Sequence, residues 1–135
     1  MGSRKRNKAT ELKELNKNRV FAKLNNCPTS PRKMRLVADQ IRGLDVNTAL
    51  NILKTDSKDT SNRMEKLLLS CMANWKAKNK DENIENTNLF IKEIYVDSAR
   101  MLKRIQPAPQ GRAHRIRKRS NHVTLVVDSR NSDNN

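Results

Sequence analysis

The residues of this sequence that are best suited to chemistry are the cations between positions 99 and 127. Eight Lys or Arg side chains fall in this window, and no Asp or Glu lies among them. Like charges at that density repel one another, and a bound polyanion relieves the repulsion. The window therefore predicts electrostatic binding of nucleic acid.

The remaining charge is unevenly distributed along the chain. The formal net charge is +15; residues 1–43 carry twelve Lys or Arg against three acids, and residues 44–98 carry eight against nine. A surface shaped only for solubility mixes both signs throughout, as the middle segment does and the two flanks do not. The four aromatic residues are too few for a stacking surface, which favours recognition of backbone and shape.

Two other sets of residues could do chemistry. His114 and His122 could act as the acid and base of a ribonuclease, but they have no carboxylate partner between positions 99 and 127. Cys27 and Cys71 lack the paired spacing of a zinc site or a disulfide framework. The sequence therefore predicts no enzyme, no metal and no cofactor, and it favours His122 as a strand residue or an RNA contact.

The elements that position these residues can be predicted from periodicity and punctuation. Residues 1–18 are basic, lack a sustained apolar stripe and are expected to be a disordered or weakly helical tail. Alternation over 19–24 predicts a strand. Three helices follow: one opened by Ser30 and stopped by Gly43, one capped by Asp45, and one over residues 59–79. Their apolar stripes, with Cys71 and Trp75 included, are the expected core: Met34, Val37, Ala38, Ile41, Val46, Ala49, Leu50, Leu53, Met64, Leu67, Leu68, Cys71, Met72 and Trp75.

Two strand-like segments, residues 89–96 and 122–127, bracket the cations. A hairpin with its turn near Pro107–Gly111 is the simplest connection, and residues 89–106 would then extend roughly 55–60 Å, further than a small core can cover. We expect residues 100–119 to be a projecting basic arm. The inward side chains should be those of Phe90, Ile94, Val96, Val123, Leu125 and Val127.

The predicted fold class is α+β: a small three-helix domain on a three-stranded antiparallel sheet, with two strands extended into a long, protruding, basic β-hairpin. Residues 19–128 form the single domain, and residues 129–135 a disordered polar tail. A basic ribbon with a proline wedge could also bend DNA as a dimer, but no surplus apolar stripe suggests a dimer interface.

A second candidate phosphate site lies at the start of the first predicted core helix. Arg32 and Lys33 occupy its first turn, where the helix dipole disfavours cations by about 0.3–1 kcal/mol each. Free backbone N–H groups and two cations together suit a phosphate. We therefore expect Ser30, Arg32, Lys33 and Arg35 to contact RNA.

Several separate blocks of the chain resemble the universal large-subunit ribosomal protein family numbered twenty-two, bacterial type, over residues 19–128. They include SPRKMRLVADQIRG, SCMANW, the pattern Lys103-Arg104…Pro107…Gly111-Arg112-Ala113…Ile116…Lys118-Arg119, and HVTLVV. The chain reads PAPQGR where the family commonly has Pro-Arg-Ala-Lys-Gly-Arg. Ala108 and Gln110 thus replace two cations.

The resemblance implies a protein of the large ribosomal subunit whose hairpin threads ribosomal RNA and lines the nascent-peptide exit tunnel near the macrolide region. Its implied partners are ribosomal RNA, neighbouring ribosomal proteins and the nascent peptide; it would be a cytoplasmic monomer within the ribosome, without a membrane partner. Charge and resemblance together give these RNA-binding candidates: Ser30, Arg32, Lys33, Arg35, Arg100, Lys103, Arg104, Arg112, Arg115, Arg117, Lys118, Arg119 and His122. The tunnel-lining tip would comprise Gln106, Pro107, Ala108, Pro109, Gln110 and Gly111.

Overall fold

The computed structural model describes residues 2–80 and 88–130. Within these ranges the chain forms four α-helices and five β-strands. The α+β class is confirmed, with one helix more than predicted. The helices are α1 (Ser3–Asn18), α2 (Pro31–Ile41), α3 (Val46–Thr55) and α4 (Asp59–Lys78). The strands are β1 (Val20–Cys27), β2 (Leu89–Ser98), β3 (Leu102–Pro107), β4 (Ala113–Lys118) and β5 (Asn121–Ser129).

The core lies between the three-stranded sheet, ordered β1-β5-β2 and antiparallel throughout, and helices α2, α3 and α4. We call these six elements the body. Each helix buries the stripe that its periodicity predicts, although Leu50 and Met72 are only half-buried. Residues Met34, Val37, Ala38 and Ile41 of α2 are fully buried, which confirms the expected inner face.

At the ends of α2 and α3, the structure confirms Gly43 as the helix stop but shows no capping hydrogen bond from Ser30 or Asp45. Gly43 adopts φ 76°, the left-handed conformation in which glycine commonly ends a helix. Ser30 and Asp45 do stand at the N-cap positions, but neither side chain bonds its helix. The carboxylate of Asp45 instead lies 3.6 Å from the guanidinium of Arg130.

The expectation that Phe90 faces the helices is wrong. A register irregularity lies between Ile91 and Glu93 of β2, so Ile91 is fully buried and Phe90 is half-buried. One additional residue in a strand inverts the alternation on either side of it. Backbone bonds between Ile91 and residues 43–44 cover this edge of the sheet, and the guanidinium of Arg130 lies 4.9 Å from the ring centroid of Phe90.

The predicted tails are partly helix and strand. Residues Ser3–Asn18 form α1, none of whose residues is buried, so this predicted tail is helical in the structure. Its sequence hides this because a helix without a packing face shows no apolar stripe. Strand β5 reaches Ser129, and the N–H of Arg130 donates to the carbonyl of Asn88. Residues 131–135 of the predicted tail lie outside the described residues.

The cationic window forms a separate two-stranded sheet, β3 paired with β4, rather than a continuation of β2 and β5. We call residues 102–118 the ribbon. Ala99, Arg100 and Met101 separate β2 from β3, and they lack the β-branched or aromatic side chains that favour strands. The N–H of Ala99 donates to the carbonyl of Ser120 at 2.9 Å, so the ribbon leaves and rejoins the body at one point.

The turn of the ribbon lies where the prolines and glycine predict it. The N–H of Arg112 faces the carbonyl of Pro109 at 3.5 Å, and the two residues between them, Gln110 and Gly111, have left-handed φ of 62° and 68°. The N–H of Ala108 donates to the carbonyl of Arg112 across the turn. Position 111 requires the left-handed conformation that glycine adopts without steric cost.

Candidate nucleic-acid interface

The cations of the ribbon have no acidic partners in the part of the chain that the structure describes. Among the described residues, every ion pair involves a cation of the body or its flanks: Arg19, Arg42, Lys58, Arg63, Lys92 or Arg130. No side chain of residues 102–119 is buried, and only Ala108 is even half-buried. The charge of this segment is therefore fully available to an external anion.

The register of the ribbon divides its side chains between two faces. Lys103 lies opposite Arg117 and Ile105 opposite Arg115 on one face. The other face pairs Leu102 with Lys118, Arg104 with Ile116, and Gln106 with His114. Both faces combine cations with an exposed aliphatic side chain, and Ile105 is 72% exposed. Such a surface can contact phosphates and the apolar parts of a nucleic acid together.

The ribbon is poorly stabilised from within. Lys103 and Arg117 are like charges directly across the pair, an arrangement that is destabilising. A two-stranded ribbon without a covered face is marginal in water. Among the described residues, the guanidinium of Arg104 donates to the carbonyl of Lys103, its chain neighbour, which adds no bond across the ribbon.

The start of α2 presents the second set of predicted residues. Arg32 and Lys33 are exposed and form no ion pair, and the hydroxyl of Ser30 makes no hydrogen bond within the described residues. The first N–H groups of a helix have no intrahelical partners. This helix terminus therefore offers both donors and positive charge to a phosphate.

Asn121 joins this helix terminus to the base of the ribbon. Its buried amide Nδ2 donates to the carbonyl and the hydroxyl of Thr29, at 2.7 and 2.8 Å. Because Thr29 precedes Ser30 and Asn121 follows Ser120, the two predicted groups of cations are neighbours at this end of the body. Sequence reasoning missed Asn121, whose buried Oδ1 has no hydrogen-bond partner among the described residues.

Arg35 has a structural contact that its position in the sequence does not suggest. Its Nε and Nη2 donate to the carbonyl of Val96, at 3.3 and 3.0 Å. Arg42 reaches the carbonyl of Ile94 in the same way. These bonds tie α2 to β2, the strand nearest to it, so part of the donor capacity of Arg35 is used within the body.

His122 also has a partner within the chain. Its Nδ1 accepts a hydrogen bond from the backbone N–H of Asn26, at 3.0 Å. Asn26 has φ 53° and lies at the irregularity between Leu24 and Cys27 of β1, so the ring supports a strained point of that strand. His114 lies in β4 and His122 in β5, opposite Asp97, and neither forms an ion pair among the described residues.

The outer face of the body's sheet differs from the ribbon because it carries ion pairs. Arg19 pairs with Glu93, and Lys92 pairs with Asp128. The hydroxyl of Tyr95 donates to Glu93, and this bond raises the pKa of Tyr95. An ion pair has no net charge, so these pairs attract a polyanion far less than the cations of the ribbon do.

The described residues contain no cluster of His, Cys, Asp or Glu that could hold a metal ion. Within those same residues, no helix has both the length and the apolar character needed to cross a membrane.

Comparison with known proteins identifies the family. Residues 22–128 match the family described as ribosomal protein L22p/L17e. A protein of Christiangramia forsetii is 64% identical over 132 residues, covering 98% of both chains. A protein of Porphyromonas gingivalis is 59% identical over 135 residues, covering the whole of both chains. Both are named large ribosomal subunit protein uL22.

These names confirm the expectation that the chain is not an enzyme. They also confirm the resemblance drawn from its separate motifs. The match covers the body and the ribbon and begins within β1, so α1 lies outside it. The chain belongs to the ribosomal protein L22p/L17e family.

Proposed function

We propose that this chain is a structural component of the cytoplasmic large ribosomal subunit, where it binds ribosomal RNA and lines the nascent-peptide exit tunnel with the tip of its ribbon. The observation that carries the proposal is that, among the described residues, no cation of the ribbon has an acidic partner, whereas every ion pair lies in the body or at its flanks. Ribosomal RNA supplies the phosphates that the ribbon lacks as partners.

In this proposal the ribbon projects from the body into RNA. Its main contacts are those between β3 and β4, and it joins the body at the Ala99–Ser120 pair. Phosphates on both sides would neutralise the opposed Lys103 and Arg117 and give the ribbon its fixed shape. The proposed contacts on this arm are those of Arg100, Lys103, Arg104, Arg112, Arg115, Arg117, Lys118 and Arg119.

The start of α2 would hold a further phosphate. Arg32, Lys33 and the hydroxyl of Ser30 supply the contacts, and Arg35 adds the donors that its bond to Val96 leaves free. The Nε2 of His122 could donate to RNA, because its one hydrogen bond among the described residues uses Nδ1. Since Asn121 holds this terminus beside the base of the ribbon, one folded region of RNA could contact both.

The tip has the composition expected of a tunnel wall. Residues 106–111 read QPAPQG and carry no charge, whereas Arg104 and Arg112 stand at either side. An uncharged surface neither retains nor repels a passing peptide through ionic contacts. We therefore propose that the shaft holds RNA while the tip faces the nascent chain, and that the protein acts as a monomer among neighbouring ribosomal proteins.

Two measurements test the proposal. The tagged chain should co-sediment with large ribosomal subunits after a high-salt wash, and large-subunit RNA should outcompete duplex DNA of equal nucleotide concentration. Preference for DNA by a dimeric protein would refute the RNA assignment. A photo-crosslinker at Gln110 should capture a stalled nascent chain, whereas one at Lys103 should capture RNA; RNA alone at both positions would refute the tunnel role.

A further inference from the structure

Helix α1 is a charged element that the proposed interface does not include. Its sixteen residues carry six cations and two acids, and none of them is buried. Among the described residues it forms no ion pair with the rest of the chain. The body therefore neither covers the helix nor neutralises its charge.

The sequence of α1 does not favour a free helix. No acid lies in its first turn, where Arg4, Lys5 and Arg6 oppose the dipole. Arg4 and Lys8 are like charges four residues apart, as are Lys13 and Lys17, and such pairs are destabilising. Sixteen residues are also close to the length at which an isolated helix is marginal. A bound polyanion would remove the two electrostatic costs.

Among the hydrogen bonds of the described residues, those that join α1 to the body lie at its C-terminal end. The ammonium of Lys78 donates to the carbonyls of Lys17 and Arg19, at 2.8 and 2.6 Å. This contact satisfies a carbonyl of the last turn, where a cation is favourable. The helix is thus held at one end and open along its length.

The cations of α1 are not evenly spread around it. At about 100° per residue, Arg6, Lys13 and Lys17 fall within roughly 40° of one another. Glu11 and Glu14 lie at least about 80° from the middle of that stripe, which extends for about 16 Å along the helix. Three cations in one line without an acid between them match the spaced charges of a nucleic-acid strand.

The helix also stands apart in the comparison with other proteins. The family match begins at residue 22, but the relative from Porphyromonas gingivalis aligns with the whole chain over its own full length. The segment 1–21 therefore precedes the part of the chain that the family has in common, and this relative has a corresponding segment. We propose that α1 is a separate RNA-docking helix, whose Arg6, Lys13 and Lys17 bind phosphates of large-subunit ribosomal RNA; this inference rests on the proposed function.

Two triple variants of the full-length chain test the inference. The first, R6Q/K13Q/K17Q, removes the stripe. The matched control, R4Q/K5Q/K8Q, removes the same charge from positions at least about 100° from the middle of the stripe. Glutamine resembles lysine and arginine in helix propensity, and no residue of α1 is buried, so both variants should melt as the parent does.

The probe is protein-free large-subunit ribosomal RNA, titrated at several salt concentrations. Each phosphate contact contributes about 0.7–0.9 to the slope of log affinity against log salt. The stripe variant should therefore lose about 2 to 3 from the magnitude of that slope, and the control less than about 1. In addition, far-ultraviolet circular dichroism of the parent should gain helical signal on binding, and the stripe variant should not.

The outcomes separate the two proposals. Equal losses in both variants would mean that α1 acts through net charge alone, and no loss in either would mean that it is free of RNA; both results overturn the inference and leave the proposed function standing. If only L12S/L15S, which removes the exposed leucines of α1, failed to co-sediment with large ribosomal subunits, α1 would dock on a protein, and this result would also overturn the inference. A shallow slope in the parent itself would overturn the proposed function, and this inference with it.

Discussion

Replacing residues 100–119 with Asn-Gly should leave the body folded and make it more stable. The Ala99 N–H bonds the Ser120 carbonyl at 2.9 Å, so these two residues already form the closing pair that a two-residue hairpin loop requires. No side chain between 102 and 118 is buried. The replacement therefore removes no part of the core.

Two terms set the size of this effect. Shortening the loop from twenty residues to two lowers its closure cost by about 2 kcal/mol in the flexible-chain limit. The change also removes eight cations, which takes the formal net charge from +15 to +7 and reduces self-repulsion. We expect the free energy of unfolding to rise by about 1–2 kcal/mol. This is less than the two contributions together, because any order in the free ribbon lowers the entropy cost of closing the loop.

Urea denaturation followed by circular dichroism measures this change directly. The matched control is K103Q/R115Q/R117Q, which keeps the ribbon but removes three cations from one of its faces. That control should unfold within about 0.5 kcal/mol of the parent while binding large-subunit RNA with a slope reduced by about 2 to 3. A replacement variant less stable than the parent by 2 kcal/mol or more would mean that the ribbon packs on the body.

Further predictions concern the body. Asn121→Ala should lower the free energy of unfolding by about 1–3 kcal/mol in thermal melts, because the Thr29 carbonyl loses its donor; an unchanged melt would contradict that role. Ile91→Ala should cost about 2–5 kcal/mol and Phe90→Ala at most about 1 kcal/mol, and the reverse order would refute the assigned register of β2. Burial raises the pKa of the Cys71 thiol from 9.0 to about 11, so the folded state holds the proton more tightly. Denaturation at a series of pH values should therefore show stability falling between pH 9 and 11, and falling less in Cys71→Ala.

The parts of the fold that sequence predicts well are those with a covered face. Pro31 and Gly43 bound α2, and Met34 to Ile41 repeat at helical spacing because one side of the helix packs on the sheet. Helix α1 has no such side, so its periodicity carried no signal. The additional residue in β2 was hidden for another reason: no glycine or proline marks it, and backbone bonds to residues 43–44 stabilise it from outside the strand.

The candidate interface divides in the same way. Charge alone identified the ribbon cations and the start of α2, since unpaired charge is a property of composition. The contacts that arrange them join residues far apart in the chain: Arg35 with Val96, Asn26 with His122, and Thr29 with Asn121. Hydrogen bonds between residues so far apart in the sequence depend on the tertiary fold, and no local sequence pattern predicts them.

The single junction at Ala99 and Ser120 gives the two parts of this molecule different evolutionary constraints. Substitutions of buried residues in the body change the packing of the core and therefore the stability of the protein, whatever it binds. Substitutions in the ribbon cost the core nothing, so only contact with its surroundings can select for or against them. Ala108 and Gln110, which stand where the resemblance places two cations, are changes that this division permits. Ribbon sequences can therefore diverge between lineages while the body that carries them stays the same.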